Sequence, residues 1–228
     1  MQAGLDRGMP ATITALDWDC RPPLNVHDEE FDEETQSMPP ARPLEEFTRT
    51  SFLILTQQHL PLRIKMLSRI NSIVSTVDYE SVMAFDPRIR EILDQLPQWE
   101  KEPSCSTARD MSRLMLCEFL LLLHQPYATN SDALSLHFYS QVARRNAALA
   151  TMQIYMAMST SRSLWFTNLR DDAFRATMAL CHDIVVSSGP KEDFTLNREA
   201  IIELIEKSVD MFENRVRRLG ESFPVVLI

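Results

Sequence analysis

ARDMSRLMLCEFLLLLHQ, residues 108–125, decides the fold. Wound as a helix, it is apolar on nearly every side, whereas a surface helix carries one apolar stripe. It therefore reads as the helix in the middle of a bundle. Its longest apolar run, Leu114 to Leu123, is interrupted by Glu118 and is far short of a membrane span. Thr107 with Asp110 three residues later resembles a capping box and places the start at 108. Pro126 is expected to end it.

Working outward, the chain reads helical in both directions. Upstream, segments at 44–60 and 62–76 are separated by Pro61, and Ile64, Leu67, Ile70 and Val74 mark the buried side of the second. A helix at 87–96 is expected to open on Asp86 as N-cap with Pro87 in its first turn. Downstream come long helices at 132–159 and 163–187, the latter ended by Ser187-Ser188-Gly189-Pro190. The last helix, 197–219, places Ile202, Ile205, Val209, Phe212, Val216 and Leu219 at alternating three- and four-residue spacing. Over so few heptads this reads as a core stripe rather than a coiled-coil seam. Gly220 is expected to close the helix.

The fold class is therefore all-α, an irregular bundle of about six to seven helices. Only four glycines occur in 228 residues, too few for a phosphate-cradling or turn-rich β-protein. The net charge of −9 opposes phosphate binding, so the chain is not expected to bind nucleic acid directly. The N-terminus has no basic flank followed by an apolar run, so no secretory signal and no membrane association are expected. Cys20, Cys105, Cys117 and Cys181 lie far apart, with neither metal-ligand spacing nor a disulfide framework, which favours a reducing, intracellular setting.

Residues 16–43, LDWDCRPPLNVHDEEFDEETQSMPPARP, have a different character. Pro22, Pro23, Pro39, Pro40 and Pro43 each remove a backbone donor and fix a dihedral. Asn25 and Asp28 form turns. Leu24, Val26 and Phe31 are apolar in an otherwise acidic run, and they read as anchors that pin an extended strap to the helical body. The organisation expected is a strap over 1–43, a helical domain over 44–222 and an apolar tail, FPVVLI, over 223–228.

Four blocks carry a family resemblance. Pro23, Leu24, Asn25, Val26, Asp28 and Glu29 resemble the PLN-(I/V)-x-D-x-(D/E) strap of the fungal-specific transcription factor domain, the middle homology region of fungal zinc-cluster regulators. LMLCEFLLLLHQPYA (114–128) is similar to the family helix that leaves through Leu-Leu-His-x-Pro-(Tyr/Phe), at His124, Pro126 and Tyr127. SQVARRNAALATM (140–152) resembles the helix that follows, with Arg144 where the family has Cys. LWFTNLRDDAFRATMALCHDI (164–184) is similar to the Trp-containing turn and its Ala-Phe-x-Ala-x-x-x-Leu-Cys helix. The four blocks come in the family's order. The resemblance implies a helical regulatory domain, of which residues from about 4 to 222 match the later half. Nothing in the sequence resembles the six-cysteine DNA reader or the helices that precede the strap.

The chemistry-bearing residues have bland readings beside functional ones. The acidic run from Asp28 to Glu34 lacks the glycine that calcium loops use, and no metal site is expected. Cys181 and His182 are adjacent on a helix and point about 100° apart, so they do not form a nucleophile and base. His124, Tyr127, Tyr155 and Trp165 are the candidates for lining a ligand pocket, alongside Met152, Met156 and Met158, whose side chains adapt to irregular apolar ligands. Arg170, Asp171 and Asp172 read as a surface ion-pair cluster.

Two functions follow as expectations. The first is a regulatory module that senses an effector or binds a partner, nuclear in location and without its own DNA reader. The alternative is a cytoplasmic, free-standing small-molecule-binding protein of fungal specialised metabolism. As a cyclase or isomerase it would need no cofactor, because orientation alone supplies several kcal/mol of a barrier. Expected partners are an apolar small molecule and a second copy of the chain or another protein.

Overall fold

The computed structural model describes residues 4–5, 8–9, 20–74, 76–99, 103–129, 137–160, 171–186 and 198–222. Among these, every regular element is helical. The longer helices among the described residues are seven: α1 (Ser51–Gln58), α2 (Leu60–Ile70), α3 (Tyr79–Asp94), α4 (Pro103–Ala128), α5 (Phe138–Thr160), α6 (Asp171–Val186) and α7 (Arg198–Ser222). The chain divides into two compact units, residues 1–123 and 124–228. This division falls inside α4. The tail at 223–228 lies outside the described residues.

In the first unit the strap has no regular element from Cys20 to His27, turns tightly where the Val26 N–H donates to the Leu24 carbonyl at 3.1 Å, and passes through one 3-10 turn, Asp28–Glu30. Of its three expected apolar anchors only Val26 is buried. Leu24 and Phe31 remain 43% and 38% exposed. The correction has a polar cause, because Asn25 does the anchoring. Its Nδ2 donates to the carbonyls of Pro43 at 2.8 Å, Glu46 at 3.0 Å and Arg42 at 3.3 Å. Its Oδ1 accepts from Thr48 Oγ1 and Ser51 Oγ, each at 2.7 Å. Leu24 takes part through its carbonyl, which accepts from Thr50 Oγ1 at 2.9 Å. Trp99, buried on Phe47, donates its indole N–H to the Leu44 carbonyl at 2.8 Å.

The prolines behave differently from the sequence expectation. The first break falls at His59, and Pro61 lies in the opening turn of α2, where a missing N–H costs nothing. Because α2 stops at Ile70, Val74 lies beyond the helix and is 96% exposed. Helix α3 starts eight residues earlier than expected, capped by Asp78, whose carboxylate accepts from the Ser81 N–H at 2.7 Å and from its hydroxyl at 2.8 Å. Pro87 is inside this helix, and Asp86, expected as its cap, is buried in an ion pair with Arg90 at 2.7 Å. Helix α4 opens at Pro103, so Thr107 and Asp110 are interior, and it runs through Pro126 to Ala128. Helix α7 likewise runs through Gly220 to Ser222.

The second unit is built on α5 and α6, which pack most extensively, with α7 against both. Small residues make the contact. Ala147, Ala148 and Thr151 of α5, and Ala173, Ala176 and Ala179 of α6, are all buried, which lets the two backbones approach closely.

Candidate functional site

The most charged buried region of the described structure lies in the second unit, where α5 meets α6. Arg144 is fully buried. Its Nη2 donates to Asp183 Oδ1 and, at 2.9 Å, to His182 Nδ1, while its Nη1 donates to Gln125 Oε1 at 3.2 Å. Arg145 Nε donates to Asp183 Oδ2 at 2.8 Å. One carboxylate therefore serves two guanidiniums. Because a guanidinium only donates, His182 Nδ1 is the acceptor in this contact.

Eleven residues along both helices, a second clasp repeats the theme. Tyr155 OH donates to Asp172 Oδ1 at 2.7 Å, and the same oxygen accepts from the Ala173 N–H at 2.9 Å. Asp172 lies in the first turn of α6, where the helix dipole favours a carboxylate. Between the clasps Thr177 Oγ1 meets Met152 Sδ at 3.5 Å. The pairs 144–183, 152–177 and 155–172 fix α5 and α6 as antiparallel in one register. Eleven residues make three turns, so both clasps lie on the same face of each helix.

Of the four expected pocket residues, the three that are described do not all meet. His124, fully buried near the end of α4, shares a hydrogen bond of 2.9 Å between its Nδ1 and Ser140 Oγ, with the Tyr139 ring edge-on at 5.8 Å. Tyr127 lies against the His137 ring at 4.9 Å. Tyr155 is fifteen residues beyond Ser140 on α5, about 22 Å along the axis. Trp165 lies outside the described residues, as does Arg170. Met152 and Met158 are core side chains. Ser140 and His124 have the contact of a nucleophile and its base, but both are fully buried, and a substrate reaches neither without the fold opening.

Sequence reasoning noted Arg144 only as a departure from a pattern and missed its pairing with Asp183. A signal was present. Ser140, Arg144, Ala147, Ala148, Thr151, Met152 and Tyr155 fall on one face, and a charge inside a stripe of small and apolar residues demands a buried partner.

In the first unit a cleft is lined by Leu55, Thr56, His59, Arg63, Leu96, Ser112, Met115 and Leu116. Its volume is about 10 Å³, room for roughly one water molecule. Arg63 crosses it, donating to the Thr56 carbonyl at 2.6 Å and approaching Met115 Sδ at 3.2 Å. Burial first, and the Arg63 charge second, push the His59 imidazole below its ordinary pKa. Among the described residues no cluster of His, Cys, Asp and Glu can hold a metal, and no helix is long and apolar enough to cross a membrane. All four cysteines are free thiols.

Three fungal proteins give the comparison. The transcription factor lepE of Aspergillus flavus is 28% identical over 169 residues, covering 72% of this chain and 20% of that protein. The transcription factor asR3 of Sarocladium schorii is 27% identical over 173 residues, covering 66% and 20%. The transcription factor opdR of Penicillium oxalicum is 24% identical over 246 aligned positions, covering 99% and 30%. The chain thus spans less than a third of the length of these curated relatives. No family model matches it, and no solved structure does. The chain is similar to fungal transcription factors, and its all-α fold agrees with the regulatory resemblance drawn from its motifs.

Proposed function

We propose that this chain is a regulatory module of a transcription-factor-like protein, acting in the nucleus through protein contacts and leaving DNA reading to another segment or partner. One observation carries the reading: alignments to proteins named as transcription factors take in 66–99% of the chain. The net charge of −9 supports the second half of it, since duplex binding depends on neutralising phosphates with basic side chains. Between the two regulatory modes, docking of a partner is better supported than sensing of an apolar effector. The first unit's cleft is water-sized, whereas in the second unit Phe174 and Met178, one turn apart on α6, stand in solvent beside Val209 and Val216 of α7.

The test is a tethering experiment. Fused to an unrelated DNA-binding domain, the chain is expected to change transcription of a reporter carrying that domain's sites. The purified chain alone is expected to show no salt-sensitive binding to duplex DNA. A tethered chain that leaves the reporter unchanged overturns the regulatory role. Tight duplex binding by the chain alone overturns the claim that it lacks a reader.

A further inference from the structure

The buried network between α5 and α6 is short of negative charge. Arg144 is fully buried, and the Arg145 side chain is 12% exposed. Among the described residues, Asp183 is the one carboxylate in ion-pair contact with either guanidinium. Two positive charges therefore face one negative charge, and a charge held away from water needs a counterpart. The network is short of acceptors as well. Each guanidinium carries about five N–H donors. Among the described residues the two together make four hydrogen bonds, to Gln125 Oε1, His182 Nδ1 and the two oxygens of Asp183. Arg144 Nε is buried without a partner there.

The deficit lies where the network meets solvent. Arg145 gives only its Nε to Asp183, and no other hydrogen bond or ion pair among the described residues involves it, so Nη1 and Nη2 are uncommitted. His182 Nδ1 lies 3.7 Å from Asp183 Oδ1, and the His182 side chain is 36% exposed. With Nδ1 accepting from Arg144, the donor of the ring is Nε2. One donor group on α5 and one on α6 thus border a single carboxylate at an edge that water reaches. The net charge of −9 opposes a polyanion such as duplex DNA. It does not oppose one small oxyanion here, because distant surface charges are screened within about 8 Å at physiological ionic strength.

We propose that Arg145 and His182 bind a small oxyanion, a phosphate or a carboxylate, which supplies the second negative charge of the network. One oxygen accepts from the Nη groups of Arg145 and another from His182 Nε2. The planar fork of a guanidinium matches such an oxyanion, which gives these pairs both strength and direction. A bound ion joins α5 to α6 beside the Arg144 clasp, so occupancy stiffens that end of the helix pair. The site takes its ion whether or not the chain regulates transcription, so the two readings fail separately.

The test is thermal unfolding of the whole chain in sodium phosphate or sodium acetate, each against sodium chloride of equal ionic strength. At about five times the dissociation constant, an oxyanion that binds is expected to raise Tm by about 2–4 °C. The His182 ring resonances are expected to shift over the same concentration range. Whichever anion acts at the lower concentration identifies the class. Arg145→Met, which leaves Arg144 and Asp183 as a one-to-one pair, is expected to abolish the rise. His182→Ala, at a partly exposed position, is expected to weaken binding about tenfold or more. If neither oxyanion raises Tm above the chloride control, the proposal is overturned. A rise that survives in Arg145→Met overturns it too. Should that variant fail to fold, unchanged binding in His182→Ala does the same.

Discussion

Asn25 satisfies five partners with one carboxamide, so its loss is felt at once by three carbonyls and two hydroxyls. Asn25→Ala is expected to cost about 2–4 kcal/mol, read as a lower urea midpoint with little change in slope. Close by, Glu30 accepts from Arg42 at 2.6 Å and from the His27 N–H at 2.9 Å. The Arg42 hydrogen bond first, and the His27 N–H second, hold its carboxyl at a pKa of about 2. Because the folded pKa is depressed, this pairing contributes stability above the unfolded value of 4.5 and loses it as pH falls toward about 2. Carbon-detected titration should find that midpoint, and Arg42→Gln should move it up toward the ordinary glutamate value without reaching it, because the His27 N–H stays in place. His59 responds in the same sense around a higher value. Its lowered pKa makes the folded state fully stable above pH 6.5 and less stable as pH falls below it, an effect that His59→Gln should remove from a stability-against-pH profile. The sequence marked Asn25 as a turn former, but its role as a hub was not legible. Its partners lie 17 to 26 residues downstream, and no local pattern announces a carboxamide that reaches that far.

At the scale of elements, helix existence and type were legible throughout and helix ends were not. Apolar periodicity reports which face is buried, and most of the expected segments are helical where they are described. Proline misled because it is tolerated in a first turn and survivable inside a long packed helix. Thus Pro61 opens α2, while Pro87 and Pro126 lie inside α3 and α4, where burial of Val82, Phe85 and Ile89, or of Leu123 and Ala128, offsets the missing hydrogen bond. The pairing of α5 with α6 yields the sharpest test. Asp183→Asn leaves the buried Arg144 and its neighbour Arg145 without their carboxylate, and it is expected to destabilise the protein by about 3–5 kcal/mol. Ala176→Leu probes the same contact sterically. Overpacking the close approach should cost about 1–3 kcal/mol in the same unfolding assay while every charge stays in place.

For the molecule as a whole, the networks around Asn25 and Asp183 belong to different compact units and share no partner. The double variant N25A/D183N is therefore expected to lose the sum of the two single losses to within about 0.5 kcal/mol, and a larger coupling in a double-mutant cycle would show that the two networks communicate. Regulatory proteins often signal by letting one element ratchet a full turn past another. The two clasps oppose that motion between α5 and α6. A slip of one turn would pull Tyr155 from Asp172 and strand Arg144 in the same step, so the pair behaves as a beam bolted at two points. A signal that passes through this helix pair is expected to tilt or displace the beam whole.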